Sequence, residues 1–140
     1  MREIKFRVWL KETKEMFTTP NLLEFSLSGK LKTVFIHGNA YNPQDVELLQ
    51  YTGLKDKNGV DIYESDVLQI ISKYGVRPWS SQPDKKHYYK EPKIIKKLVT
   101  FNTEKACFVV DGTSFAYTKA TNYEVIGNLY ENPELLTDNN

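Results

Sequence analysis

Glu3-Ile4-Lys5-Phe6-Arg7-Val8-Trp9 alternates charge with bulk. Successive side chains of an extended strand point to opposite sides, so Ile4, Phe6 and Val8 share one face while Lys5 and Arg7 share the other. The stretch is predicted as a half-buried β-strand, and the same rhythm recurs along the chain. Leu22 to Leu27 and Leu31 to Ile36 flank Ser28-Gly29-Lys30 and read as a hairpin. Asn42-Pro43 interrupts the pattern, because proline fixes its own backbone and biases the residue before it away from helix. Val46 to Tyr51 then resumes as a strand, with one helical turn after Pro43 as the alternative. Asn58-Gly59 signals a tight turn, since both residues tolerate positive φ, and Val67-Leu68-Gln69-Ile70-Ile71 reads as a core strand. Leu98 to Phe101, Ala106 to Val110, Phe115 to Thr118 and Tyr123 to Tyr130 are further short strands, the middle two joined across Asp111-Gly112. Strands at this spacing predict a mainly β protein, a small barrel or sandwich. At the C-terminal end Asn132 is placed to cap, and Pro133 to open, a short helical turn.

The 140 residues and 16.3 kDa amount to one domain, or one domain with an insertion. A hydrophobic share of 40% against 26% charged residues provides for a real core. No stretch approaches the roughly 18 uninterrupted apolar residues of a spanning helix, and the N-terminus lacks the apolar run of a signal peptide. A soluble protein that stays where it is made is expected. One cysteine, Cys107, and two histidines cannot form an internal disulfide or a four-ligand zinc site, which suits a reducing cytosol.

The formal net charge of +1 conceals a segregation. Ser72 to Lys97 holds eight basic residues against two acidic, a net +6, and the other 114 residues hold eleven against sixteen, a net −5. Three prolines, Pro78, Pro83 and Pro92, with Ser80-Ser81, mark this segment as a long loop inserted between two barrel strands. Arg77, Trp79, Lys85, Lys86, Tyr88, Tyr89, Lys93 and Lys96 interleave cations with rings, the pattern that contact with a nucleic-acid backbone plus base stacking requires. The plainer reading is favoured: a solvated loop whose lysines keep it soluble or pack back on the acidic body.

Little else carries chemistry. Asp56, Asp61, Glu64 and Asp66 cluster in sequence, but Asp56-Lys57-Asn58-Gly59 places its glycine fourth, where an EF-hand calcium loop needs it sixth, so turn chemistry and barrel entry rank well above a metal. His37 and His87 stand apart without evident partners, and Cys107 sits in an apolar strand as a small buried hydrophobe. Phosphate-binding, dinucleotide, hydrolase and zinc-protease motifs are all absent, so no enzyme class and no cofactor is indicated.

Taken in order, Ile4-Lys5-Phe6-Arg7-Val8-Trp9, Met16-Phe17, Gln50-Tyr51-Thr52-Gly53-Leu54-Lys55-Asp56-Lys57-Asn58-Gly59, Ile62-Tyr63-Glu64-Ser65-Asp66-Val67 and Val125-Ile126-Gly127-Asn128-Leu129-Tyr130-Glu131-Asn132-Pro133-Glu134-Leu135-Leu136 resemble the YopX protein family of bacteriophages and prophages. The blocks span nearly the whole chain. The resemblance implies an SH3-like small barrel core with an N-terminal β extension, made in a bacterial cytoplasm from phage-derived DNA, and it implies no activity. On this basis residues 1–140 form one domain, with the extension at 1–40, barrel strands at 45–71 and 98–131, and the basic loop at 72–97. Ser65 stands where the family usually has glycine, Leu10 replaces the acid that usually follows the tryptophan, and the basic insertion is longer than usual. A non-enzymatic phage accessory protein acting through protein contacts, as a homo-oligomer or on a host or phage protein, is expected; the alternative is a nucleic-acid binding module using the basic loop.

Overall fold

The computed structural model describes residues 3–18, 20, 22–74, 88–115 and 119–137, with side chains described outside 72–92. Its described elements are strands β1 (Phe6–Leu10), β2 (Glu15–Phe17), β3 (Leu22–Phe25), β4 (Leu31–Ile36), β5 (Asn39–Tyr41), β6 (Val46–Lys55), β7 (Asp61–Tyr63), β8 (Asp66–Tyr74), β9 (Tyr88–Asn102), β10 (Cys107–Val110), β11 (Thr113–Ser114) and β12 (Glu124–Asn128), and short 3-10 turns at Pro43–Asp45, Ala120–Asn122 and Pro133–Leu136. The protein is mainly β, as its alternation predicts. Three antiparallel sheets run in the orders β2-β1-β6-β7, β3-β4-β5 and β11-β10-β9-β8-β12, and the strands curl as a half-barrel.

Two apolar cores organise these sheets. Val8, Leu10, Val34, Ile36 and Val46 form the first, and Ile62, Leu68, Val99, Val110 and Tyr123 the second. The strand β6 serves both. Its first half, Val46 to Gln50, pairs with β1, while Tyr51 and Lys55 pair with Tyr63 and Asp61 of β7. The register shifts between Tyr51 and Lys55, and Gly53 there takes φ +85°, a conformation glycine adopts without the Cβ clash that penalises other residues.

The turns follow local chemistry. His37-Gly38 and Asp111-Gly112 each link directly paired strand ends with positive φ at both residues, as a tight two-residue hairpin requires. The tight turn expected at Asn58-Gly59 forms: the amide of Gly59, whose φ is +82°, donates to Asp56 O at 3.1 Å, and the amide of Asp56 donates to Val60 O. Both readings of Pro43 are realised, a 3-10 turn running directly into β6.

Other expectations are corrected too. Ser72–Tyr74 lies in β8 and Tyr88–Lys97 in β9, so both ends of the segment read as a loop are a long hairpin, and the remainder, 75–87, lies outside the described residues. Pro92 is accommodated because Ser72 pairs with Lys93 but Tyr74 with Tyr88, which leaves extra β9 residues in a bulge where no ladder amide is needed. A short strand lies at Thr113–Ser114 and Phe115 follows it in a turn, while residues 116–118 of the strand expected at Phe115–Thr118 lie outside the described residues. Pro133–Leu136 forms the terminal turn, but the side chain of Asn132 makes no cap hydrogen bond. Asn128 instead closes the turn before it, its Oδ1 accepting from the amides of Tyr130 (3.0 Å) and Glu131 (2.9 Å).

Candidate functional site

Of the residues singled out for binding, only Lys93 and Lys96 have described side chains. Arg77, Trp79, Lys85 and Lys86 lie outside the described residues, as do the side chains of Tyr88 and Tyr89, whose backbones begin β9. Lys93 and Lys96 are described, and their odd spacing along β9 places them on opposite faces of the strand. A further lysine of this segment, Lys97, pairs with Asp111 of the barrel at 3.5 Å.

What the hairpin does present is apolar. Ile71 of β8 and Ile94 of β9 are register partners, 55% and 62% exposed. The reading of Val67 to Ile71 as a core strand therefore holds at Val67 and Leu68, both fully buried, and fails at Ile71. The reason is reach. β12 accompanies β8 only from Asp66 to Gln69, and β10 accompanies β9 only from Val99 onward, so beyond those points the hairpin is two strands wide among the described residues. Among the described residues its outer backbone groups there have no ladder partner, and Ile71 and Ile94 stay exposed on one face while Ile70, on the other, packs against the second core.

The acidic cluster resolves into structural partners. Asp56 accepts from the amides of Asn58 (2.8 Å), Val60 (2.9 Å) and Val125 (2.9 Å), fastening the turn to β12. Burial pushes its carboxyl up, but those backbone bonds outweigh burial and hold it below the ordinary range. Asp61 is raised by burial and lowered further than that by hydrogen bonds from Lys5 and Lys55, and Lys5 is raised in turn by its bond to Asp61. Glu64 Oε2 accepts from the amide of Gln50 at 3.0 Å. Asp66, fully buried, accepts from the amide of Tyr63 (2.8 Å) and from the Arg7 guanidinium; its burial outweighs both partners and pushes the carboxyl up. Each carboxylate is thus spent on a cation or on backbone amides. Among the described residues no group of three or more His, Cys, Asp or Glu side chains is placed to hold a metal ion.

These contacts form a seam along β1 that alternation alone does not reveal. Lys5 lies over the Tyr51 ring and Arg7 over the Tyr63 ring, each 4.3 Å from the centroid, and Trp9 stacks on Tyr130 at 5.5 Å. The charged face of β1 therefore meets partners on β6, β7 and β8. His37 sits in its hairpin turn with its ring edge-on to Phe17 at 5.5 Å; His87 lies outside the described residues; Cys107 is half-buried. Among the described residues no helix is long and apolar enough to cross a membrane.

A protein-family model described as YopX protein matches residues 5–137. Among solved structures, the chain is similar to the crystal structure of protein EF1440 from Enterococcus faecalis, with a TM-score of 0.63 and 22% identity over 97% of this chain and 99% of that one. It is similar also to the X-ray crystal structure of protein yopX from Bacillus subtilis, with a TM-score of 0.58 and 22% identity over 97% of each chain. At such identity the likeness bears on the fold. A search of curated proteins finds no match.

Proposed function

We propose that this chain, which belongs to the YopX protein family, is a non-enzymatic interaction module that self-associates through the β8–β9 hairpin. The observation that supports it is the Ile71 and Ile94 pair, apolar and exposed on a hairpin that outruns its neighbours. Unpaired strand edges beside an apolar pair are a pairing surface for another chain. Charge favours a second copy as that chain, since the segment from Ser72 to Lys97 carries +6 and the remainder −5. In this reading the SH3-like barrel is a scaffold, and the protein acts as a phage or prophage accessory in the bacterial cytoplasm, a setting consistent with its bacterial structural relatives. Light scattering after size exclusion tests it: the wild type should exceed one chain's 16.3 kDa, and Ile71→Lys with Ile94→Lys should return it to that mass. A strictly monomeric wild type overturns the reading.

The charge segregation also favours a second reading, a nucleic-acid binding module. Single-stranded DNA or RNA would then bind with an affinity that falls steeply with salt, as counterions are released from the backbone. Replacing Lys85, Lys86, Lys93 and Lys96 by Gln should abolish that binding. Titration at low salt showing none would end it.

A further inference from the structure

We propose that the opening of the half-barrel, between β6 and β10, binds a small uncharged aromatic molecule. A cavity of about 380 Å3 lies there, lined by Thr52 and Leu54 of β6 on one side, Phe101, Cys107 and Phe108 on the other, and Phe115. The topology accounts for it. β6 leaves β1 after Gln50 and is re-aimed by its bulge, while β11 reaches only Val109 and Val110 of β10. Cys107 and Phe108 are therefore paired with β9 alone among the described strands, none of which closes the gap.

The lining chemistry selects the ligand. Phe101 and Phe108 are register partners whose rings meet edge-on, with centroids 5.1 Å apart and planes at 72°. Phe101 remains 43% exposed. Another ring entering the cavity would extend this packing, since the electron-rich face of one ring attracts the edge of the next. Among the described residues no Asp, Glu, Lys, Arg or His lines the cavity, so a charged ligand would shed its hydration without a counter-charge. The volume sits near the lower end of the roughly 300–1,000 Å3 of small-molecule pockets, which suits one ring or two fused rings. This site is separate from the hairpin and does not depend on self-association.

Indole is the test ligand, followed through the amide NMR signals of the full chain. Indole should move the signals of Leu54, Cys107, Phe108 and Phe115 along a saturating curve. Indole-3-acetate, the same ring with a carboxylate, should bind at least about tenfold more weakly. Phe101→Leu keeps most of the volume but removes the ring, and should weaken indole by about two- to tenfold while the β1–β5 signals stay in place. Ile71→Lys with Ile94→Lys should leave indole binding unchanged, which separates this site from the proposed self-association. No saturating shift up to the solubility limit of indole overturns the proposal, as does equal binding of the carboxylate or an unaffected Phe101→Leu.

Discussion

Val8 and Arg7 are neighbours on β1, yet they enter opposite environments. Val8 points into an aliphatic core with Leu10, Val34, Ile36 and Val46, whereas Arg7 points into a seam of ion pairs and rings shared with Asp66 and Tyr63. Apolar burial stabilises through area and is indifferent to small shifts of one element against another. A buried ion pair gains little net stability over an apolar pair of similar volume, because desolvation offsets attraction, but it is unforgiving of a missing partner. The contrast assigns a division of labour: the two cores supply stability, and the seam fixes the register of β1 against β7 and the start of β8.

The largest expected effect tests the seam directly. Asp66→Ala leaves the Arg7 charge buried without its partner and the Tyr63 amide without its acceptor, and should cost about 3–5 kcal/mol in urea unfolding. Adding Arg7→Met to Asp66→Asn, which keeps an acceptor for Tyr63, should recover much of what Asp66→Asn alone loses. If the double variant is no better than the single one, the pair is not a coupled unit and the contrast collapses.

Asp56 offers a medium-sized comparison from within the barrel. Asp56→Ala removes the acceptor of three backbone amides and should cost about 1–3 kcal/mol at pH 7. Its folded carboxyl lies below the ordinary 3.8, so its stabilisation is present above that value and is lost as pH falls through the folded value. The gap between wild type and Asp56→Ala should therefore close on acidification, and a pH-independent gap would refute this assignment.

The smallest effect sits where the seam meets the barrel. Ser65 has φ +64°, in the left-handed region that disfavours residues with a Cβ, and its amide donates to Val99 O at 2.9 Å. Ser65→Gly relieves that strain at the cost of a more flexible unfolded chain, so thermal unfolding should show a gain below about 1 kcal/mol. A net loss would show that the left-handed conformation costs Ser65 little.

Much of this fold was legible in the sequence. Alternation located β1, the β3–β4 hairpin and the first half of β6, whereas Ser65 takes positive φ although it stands where glycine is usual. Two things escaped for physical reasons. Lys5 and Arg7 look the same in sequence whether their strand face meets water or a row of Asp and Tyr partners, because the partners lie more than forty residues away. Pro92 and the lysines disguised the start of β9, since a bulge makes room for a proline that a regular ladder would reject. The Ile71 and Ile94 patch was hidden by the same token: β-branched residues signal a strand, and only the lengths of the neighbouring strands decide whether that strand is covered.

The stack of Trp9 on Tyr130 also bears on how the protein is made. At about 5–20 residues per second, a ribosome emits Tyr130 roughly 6 to 24 s after Trp9. Asp61 and Asp66 follow Lys5 and Arg7 by shorter intervals. The aliphatic side of β1 can settle with β4 and β6 early in synthesis, while its cationic and aromatic side waits for its last partner. A nascent chain therefore displays a basic, tryptophan-bearing strand face for seconds before the barrel covers it.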